Sequence, residues 1–288
     1  MASQPGNVPA ASSKVAVSVR GVSKSFGEAG DPRRVVALQE MSVDVPRNQF
    51  VCLLGPSGCG KSTLLNIVGG LLEPSRGEVV VNGKTVRGPM PHDIAFVFQE
   101  NTLLPWSTIV DNLRVGLEFQ GVPRREWDAR AQASLRAVGM EDFALHYPDQ
   151  LSVGMKQRIA LARALCLETD ILLMDEPFAA LDEQTRMVLG EDLSVLLHQT
   201  TKTIVFVTHS LAEAVFLSDR IFVFTARPGR IKEVVDVDEA HPRHPDFMTS
   251  DKFNRLRNRL YALLRDEIRQ TVQQTRTVDG AAADVARG

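Results

Sequence analysis

The sequence predicts an α/β fold with a mostly parallel core sheet, an N-terminal antiparallel β layer and an inserted helical subdomain. Three observations predict it. Gly55–Ser62 reads Gly-Pro-Ser-Gly-Cys-Gly-Lys-Ser, a G-x-x-x-x-G-K-[ST] loop set between the apolar run Phe50–Leu54 and the helix-like run Thr63–Val68. Apolar runs at Ile171–Met174, Thr203–Val207 and Ile221–Phe224 alternate with helical segments near Asp182–His198 and Leu211–Leu217, as parallel strands covered on both faces do. From Thr108 to about Ala144 the apolar spacing becomes three or four residues, through Leu113, Leu117, Trp127, Ala131, Leu135 and Val138, which marks a helical insert.

The elements follow in order. Residues 1–13 are rich in Ala, Ser and Pro with neither a basic nor an apolar stretch, and read as a disordered leader and not a signal peptide. Val15–Val19 alternates as a strand, and Val35–Val45 supplies a second β segment after a Gly/Asp/Pro loop. After the phosphate loop a short strand, Glu78–Val81, closes on the turn pair Asn82-Gly83, and Ile94–Phe98 ends at Gln99. A helix opens at Ser152 and runs through Leu165, so the helical subdomain occupies about 100–165 within a nucleotide-binding domain spanning 14–240. Residues 241–272 are a Pro/His linker and an amphipathic helix, whose stripe Phe253, Leu256, Leu260, Leu263, Leu264 and Ile268 opposes five arginines. This face is expected to pack on its own domain, with a membrane or partner surface as the other reading. Residues 273–288 are expected as a disordered tail.

Bulk properties narrow the function. A formal net charge of -2 supplies no basic field for nucleic acid. Three cysteines, Cys52, Cys59 and Cys166, have no metal-ligand spacing and form no disulfide framework, which points to a reducing compartment. No stretch approaches the ~20 apolar residues that span a bilayer, so a membrane role requires a partner.

The loop carries the first chemistry. Glycines at 55, 58 and 60 let the backbone of the loop, which also holds Pro56, Ser57 and Cys59, wrap an anion, with its N–H groups and the following helix N-terminus facing phosphate oxygens. Lys61 reaches the β- and γ-phosphates, Ser62 ligands magnesium, and Thr63 continues the cradle. Asp175 and Glu176 end the buried run Ile171–Met174, where a phosphoryl-transfer site needs carboxylates: Asp175 for the metal, Glu176 as general base. Leu151-Ser152-Val153-Gly154-Met155 places a hydroxyl and a glycine at a helix start, an arrangement that binds anions and is also an ordinary N-cap.

Together these stretches resemble the ATP-binding cassette (ABC) proteins, over about Val15–Arg230. The resemblance implies a P-loop NTPase of the ABC ATPase type, with ATP and Mg2+ as cofactors. It implies further roles: Gln99 as the Q-loop glutamine contacting magnesium and water, Ala180-Leu181-Asp182 as the D-loop, His209 as the switch histidine at the γ-phosphate, and Phe26 as the ring stacked on adenine. The resemblance also implies that Ser152 and Gly154 would face the γ-phosphate across a dimer interface. Two departures stand out: Val153 and Met155 replace a glycine and a glutamine of the common signature, and Ser210 replaces the aspartate that usually follows the histidine.

Because in that family the signature of one subunit covers the phosphate loop of another, one set of motifs implies a second ATPase subunit, as a homodimer or as a heterodimer with a similar subunit. A cassette without fused membrane spans implies transmembrane permease subunits, an extracytoplasmic solute-binding protein acting indirectly, and a peripheral place on the cytoplasmic face of the inner membrane. The segment Phe98–Leu113, the Ser-Val-Gly-Met signature and Ala226-Arg-Pro-Gly-Arg230-Ile look like the nitrate/sulfonate/taurine import subfamily. Leu103, Leu104, Pro105 and Trp106 follow the Q-loop where a permease helix docks in relatives, against a core reading of Trp106. The competing expectations are a soluble ABC ATPase acting on nucleic acid or ribosomes and a P-loop kinase; the chain has neither a tandem cassette nor a long coiled-coil insert, and a kinase has no use for the signature or the histidine.

Overall fold

The computed structural model describes residues 15–285 apart from 29, 32, 33 and 199, with the side chains of 197, 198 and 272–285 left out. The expected leader, 1–13, lies outside the described residues. Two sheets organise the chain. The first contains β1 (Val15–Phe26), β2 (Val35–Pro46), β4 (Arg76–Val81) and β5 (Lys84–Thr85) in the order β2-β1-β4-β5, with every pairing antiparallel. β1 runs to Phe26, well past Val19, because its hairpin with β2 continues through a series of register shifts to pair Phe26 with Val35.

The second sheet has the order β10-β9-β3-β8-β7-β6, from β3 (Phe50–Leu54), β6 (Ile94–Val97), β7 (Ile171–Asp175), β8 (Thr203–Thr208), β9 (Arg220–Phe224) and β10 (Ile231–Asp236). All its pairings are parallel except β10 with β9. β10 was not expected from the sequence. It is an edge strand with only Val235 buried, so its apolar signal is weak.

β3 shows why the sheet sits where it does. All five of its side chains are buried. Alternation sends Phe50, Cys52 and Leu54 into one core and Val51 and Leu53 into another. Each such fully buried apolar side chain contributes roughly 1.5–3 kcal/mol. The first core lies under α4 (Val153–Cys166), α5 (Glu183–His198), α6 (Leu211–Leu217) and α7 (Asp251–Val285); the second lies under α1 (Lys61–Val68) and the antiparallel sheet.

Between β6 and β7, α2 (Ile109–Phe119), α3 (Arg124–Ala137) and α4 enclose a third core around Leu113, Leu117, Leu135 and Ile159. Thr108 caps α2, its Oγ1 accepting from the Asp111 N–H at 3.3 Å. Helix α7 buries Phe253, Leu260 and Leu264 in the first core, so its apolar stripe packs on its own chain, leaving Tyr261 and Ile268 exposed. The backbone stays helical through 273–285, where an unstructured tail was expected; Gln, Arg and the run Ala281–Ala283 are good helix formers. No described helix is long and apolar enough to cross a membrane.

Candidate functional site

Parallel pairing brings the chemistry to one sheet edge. Leu54 is in register with Thr208, and Asp175 with Val207, so the loop after β3, the carboxylates ending β7 and the histidine after β8 emerge side by side. The phosphate loop leaves the central strand and enters α1 through Gly60, which has φ 106°. A Cβ there would lie 2.7 Å from Leu38 Cδ2 and 2.8 Å from the Ala37 carbonyl, so both backbone angle and space exclude other residues.

A pocket of about 500 Å³ lies over the loop, lined by Phe26, Ser57, Gly58, Gly60, Lys61, Ser62, Thr63, Gln99 and Glu176, all expected, and by Val35, Ala37 and Arg227, which were not. Phe26 reaches it from the β1–β2 hairpin and is 44% exposed, so its ring is presented to the pocket and is not core. Val35 comes with it, as its register partner. Gly55, Pro56 and Cys59 complete the loop from behind: the buried Lys61 ammonium donates to the Gly55 and Pro56 carbonyls at 2.9 and 3.0 Å. The Cys59 thiol is buried, and burial pushes its pKa up, so it is held as an inert thiol.

The acidic side is equally connected. Ser62 Oγ donates to Asp175 Oδ1 at 2.8 Å. Burial pushes the Asp175 carboxyl up, against the Ser62 hydrogen bond that lowers it. Glu176 Oε1 lies 3.8 Å from Lys61 Nζ, and Glu176 Oε2 lies 3.0 Å from His209 Nδ1. The expected residues thus form two polar groups side by side, Ser62 with Asp175 and Lys61 with Glu176 and His209.

Ser152, Gly154 and Asp182 do not line this pocket. Ser152 caps α4, accepting from the Met155 N–H at 3.3 Å. Gly154 stands at 3.6 Å, by an added Cβ, from Thr185 Cγ2. Asp182 precedes α5, its carboxylate accepting from the Thr185 N–H and hydroxyl at 2.9 and 2.7 Å. The α4 end is tied to the carboxylate strand by Gln157, whose amide donates to the Pro177 carbonyl.

Two supporting residues escaped the sequence reading. Glu213 accepts from Thr208 Oγ1 at 2.5 Å and lies 3.6 Å from Arg186 Nε, joining α6, β8 and α5 behind His209. Burial pushes its carboxyl up, opposed by the Thr208 hydrogen bond and the charge of Arg186. Ser210 meanwhile caps α6, its Oγ accepting from the Glu213 N–H at 3.3 Å. The signal was a Ser-x-x-Glu capping pattern, Ser210 to Glu213. A second cavity of about 400 Å³, between the helical insert and β7, is lined mainly by apolar side chains such as Val97, Leu161, Phe178 and Leu193. Its charged pair, Arg158 and Asp192, is self-satisfied at 2.7 Å, so it offers no phosphate chemistry.

A phosphate loop leaving the central strand of a parallel sheet, with acidic residues ending a strand of the same sheet, defines a P-loop NTPase. The family model described as "ABC transporter" matches residues 38–179. An uncharacterized ABC transporter ATP-binding protein of Methanocaldococcus jannaschii is 46% identical, over 90% of this chain and 95% of that protein. The taurine import ATP-binding protein of Rhizobium johnstonii is 44% identical, over 87% and 94%. The aliphatic sulfonates import ATP-binding protein of Bacillus cereus is 37% identical, over 85% and 94%. Among solved structures, a bacterial ABC transporter cassette determined as a dimer, also in a post-hydrolysis state bound to ADP and Pi, superposes with a TM-score of 0.68. It is 32% identical and covers 78% of this chain and 100% of that one. The chain belongs to the ABC transporter ATP-binding proteins. Its activity is ATP binding and hydrolysis.

Proposed function

We propose that this chain powers a multi-subunit importer of a small solute, an anion of the nitrate, sulfonate or taurine type, by closing and opening as a homodimer around two MgATP. The observation that carries the reading is the split constellation: Lys61, Ser62, Gln99, Glu176 and Phe26 share one pocket, while Ser152, Gly154 and Asp182 lie outside it. Half a site on each chain becomes whole only when two chains meet. The taurine and sulfonate import names of relatives and the dimeric cassette structures support this assembly.

The geometry yields roles. Lys61 can exchange the Gly55 and Pro56 carbonyls for the β- and γ-phosphates, which relieves a buried ammonium of neutral partners. Phe26 offers a ring face to adenine. Glu176, oriented by His209, is placed as the base toward attacking water. Ser62, Gln99 and Asp175 offer oxygen donors with one carboxylate, a set that suits magnesium, which binds through few carboxylates plus substrate phosphates. The ion, when bound, neutralises charge on the β- and γ-phosphates. Ser152, Gly154 and Asp182 act on the partner's nucleotide.

We assign 14–240 to the ATPase domain, with its helical subdomain at about 100–165, and 241–272 to the linker and C-terminal helix. The permease docks on the helical insert beside Trp106, which is 75% exposed, at the cytoplasmic face of the inner membrane. An extracytoplasmic solute-binding protein selects the solute.

The test is Glu176→Gln. Turnover should fall about 10²-fold or more while ATP binding persists, and the variant should accumulate as a dimer with MgATP on size exclusion. Wild-type turnover, or a monomer under all conditions, would sink the reading.

A further inference from the structure

The two chain neighbours of His209 belong to one small ring of hydrogen bonds. Thr208 Oγ1 donates to Glu213 Oε2 at 2.5 Å and accepts from the Ser210 N–H at 2.9 Å. Ser210 Oγ in turn accepts from the Glu213 N–H at 3.3 Å, which closes the ring. The backbone on both sides of the histidine is therefore tied down by side chains, and only the imidazole stands outside.

Two features separate this ring from ordinary helix capping. In a capping box the glutamate of a Ser-x-x-Glu pattern reaches back to the N–H of its serine. Here that N–H is taken by Thr208 Oγ1, and the Glu213 carboxylate goes to the Thr208 hydroxyl at the end of β8 instead. The carboxylate is also anchored from a second element. Arg186 on α5 sets its Nε 3.6 Å from Glu213 Oε1 while its Nη2 donates to the Leu181 carbonyl at 2.9 Å. Thr208 is buried and the Glu213 side chain is 12% exposed, so a hydrogen bond left unmade in the ring is costly. The imidazole is placed differently: its side chain is 47% exposed, so packing does not set its direction. What sets it is the backbone on either side and the 3.0 Å contact of Nδ1 with Glu176 Oε2.

We propose that Glu213 is a positioning residue for hydrolysis: through Thr208 and Ser210 it holds the turn that keeps the His209 imidazole at Glu176. The proposal rests on the reading of His209 and Glu176 as the pair that handles the attacking water, and deepens it. Arg186 holds one carboxylate oxygen, and the other stays on Thr208. Removing the carboxylate leaves the buried Thr208 hydroxyl without its acceptor and loosens the turn at both of its ends. A reacting group displaced by a fraction of its own length loses much of its effect, so a contact one residue away from the histidine reaches the rate.

The test measures steady-state ATP hydrolysis by full-length variants, with thermal melts alongside. Thr208→Val keeps the shape of the side chain and removes its hydroxyl. It should lower kcat on the order of tenfold, the loss of one charge-assisted contact, with a smaller change in the KM for ATP. Glu213→Ala should do the same. Thr208→Ser, which keeps the donor, and Glu213→Gln, which keeps an acceptor, should recover most of the loss. In a His209→Ala background neither Thr208→Val nor Glu213→Ala should lower kcat further, because no imidazole is left to place. A wild-type kcat in Thr208→Val, a Glu213→Ala variant that lowers only the melting temperature, or equal fold losses with and without the imidazole would each overturn the proposal and leave Glu213 as a helix cap. If Glu213→Ala does not fold, Thr208→Val decides alone. A His209→Ala chain with wild-type kcat would instead overturn the hydrolytic reading of the histidine on which the proposal rests.

Discussion

His209 Nδ1 lies 3.0 Å from Glu176 Oε2, which links the residues that follow two neighbouring parallel strands. Glu176 is held for this contact in an unusual backbone conformation, φ 43°, with its N–H donating to the Val207 carbonyl at 3.0 Å. A non-glycine residue in that region costs on the order of 1 kcal/mol or more. The turn aims the carboxylate between Lys61 and His209.

Because the two residues touch, their contributions to hydrolysis should not add. His209→Ala should lower kcat about 10²-fold, and Glu176→Gln by as much or more. Combining them should cost little beyond the larger single loss, since each acts through the other. A double-mutant cycle in kcat measures this, and multiplicative losses would show that the contact is incidental.

Gly60→Ala should abolish nucleotide binding and also destabilise the fold. The Cβ meets Leu38 Cδ2 and the Ala37 carbonyl below van der Waals distance at φ 106°, a combination worth roughly 1–3 kcal/mol. The expected signature is a lowered melting temperature without nucleotide plus loss of any further rise when ATP is added. An ATP-dependent rise equal to that of the wild type would contradict it.

Asp175 gives a pH-dependent test. Burial raises its carboxyl in the folded chain, so folding favours the protonated form and a charge buried there is unfavourable. Below the ordinary carboxylate pKa of about 3.9 both states hold the proton and no cost appears. As pH rises from there through the raised folded value, the native state loses its proton at a cost and stability falls. Asp175→Asn keeps an acceptor for Ser62 and carries no charge. It should therefore melt higher than wild type at neutral pH without nucleotide, by about 2–4 °C per kcal/mol relieved, and the difference should vanish below about pH 4. Its hydrolysis should be lost. Thermal scans across pH decide the point, and a gain that persists at low pH would remove the charge explanation.

The parts of this site that were legible in sequence are those whose geometry is local. The run Phe50–Leu54 with its glycine loop specifies a strand, a turn and a helix start within a few residues, and the structure has β3 and α1 there. Asp175, Glu176 and His209 follow apolar runs, so parallel pairing alone carries them to the same edge. Arg227, Glu213 and Glu267 were not legible, because what defines each is a partner on another element. Arg227 meets Gly58, 169 positions away, and Glu267 meets Ala226, 41 positions away. Strand β10 was missed for a different reason: it is an edge strand that buries only Val235, so its polar alternation resembles a solvated loop.

The loop after Gln99 is where the engine should meet its membrane partner. Trp106 is 75% exposed, which removes the core reading and leaves a large apolar surface unexplained by folding. Its loop is nonetheless rigidly held: the buried Asn112 side chain accepts from the Leu104 N–H at 2.7 Å and donates to the carbonyls of Leu104, Ser107 and Thr108 at 3.2, 3.2 and 2.9 Å. Arg163 fastens the stretch just before it, donating to the Thr102 carbonyl at 2.8 Å. An exposed aromatic on a preorganised loop has the character of an interface anchor. Trp106→Ala should therefore leave stability within about 0.5 kcal/mol and basal hydrolysis near wild type, while solute uptake by the assembled transporter falls sharply. Asn112→Ala should lose uptake too, but with a stability cost of about 1–3 kcal/mol from the backbone groups it strands. If Trp106→Ala reduces hydrolysis and uptake in equal proportion, the ring serves the ATPase cycle and the docking surface lies elsewhere.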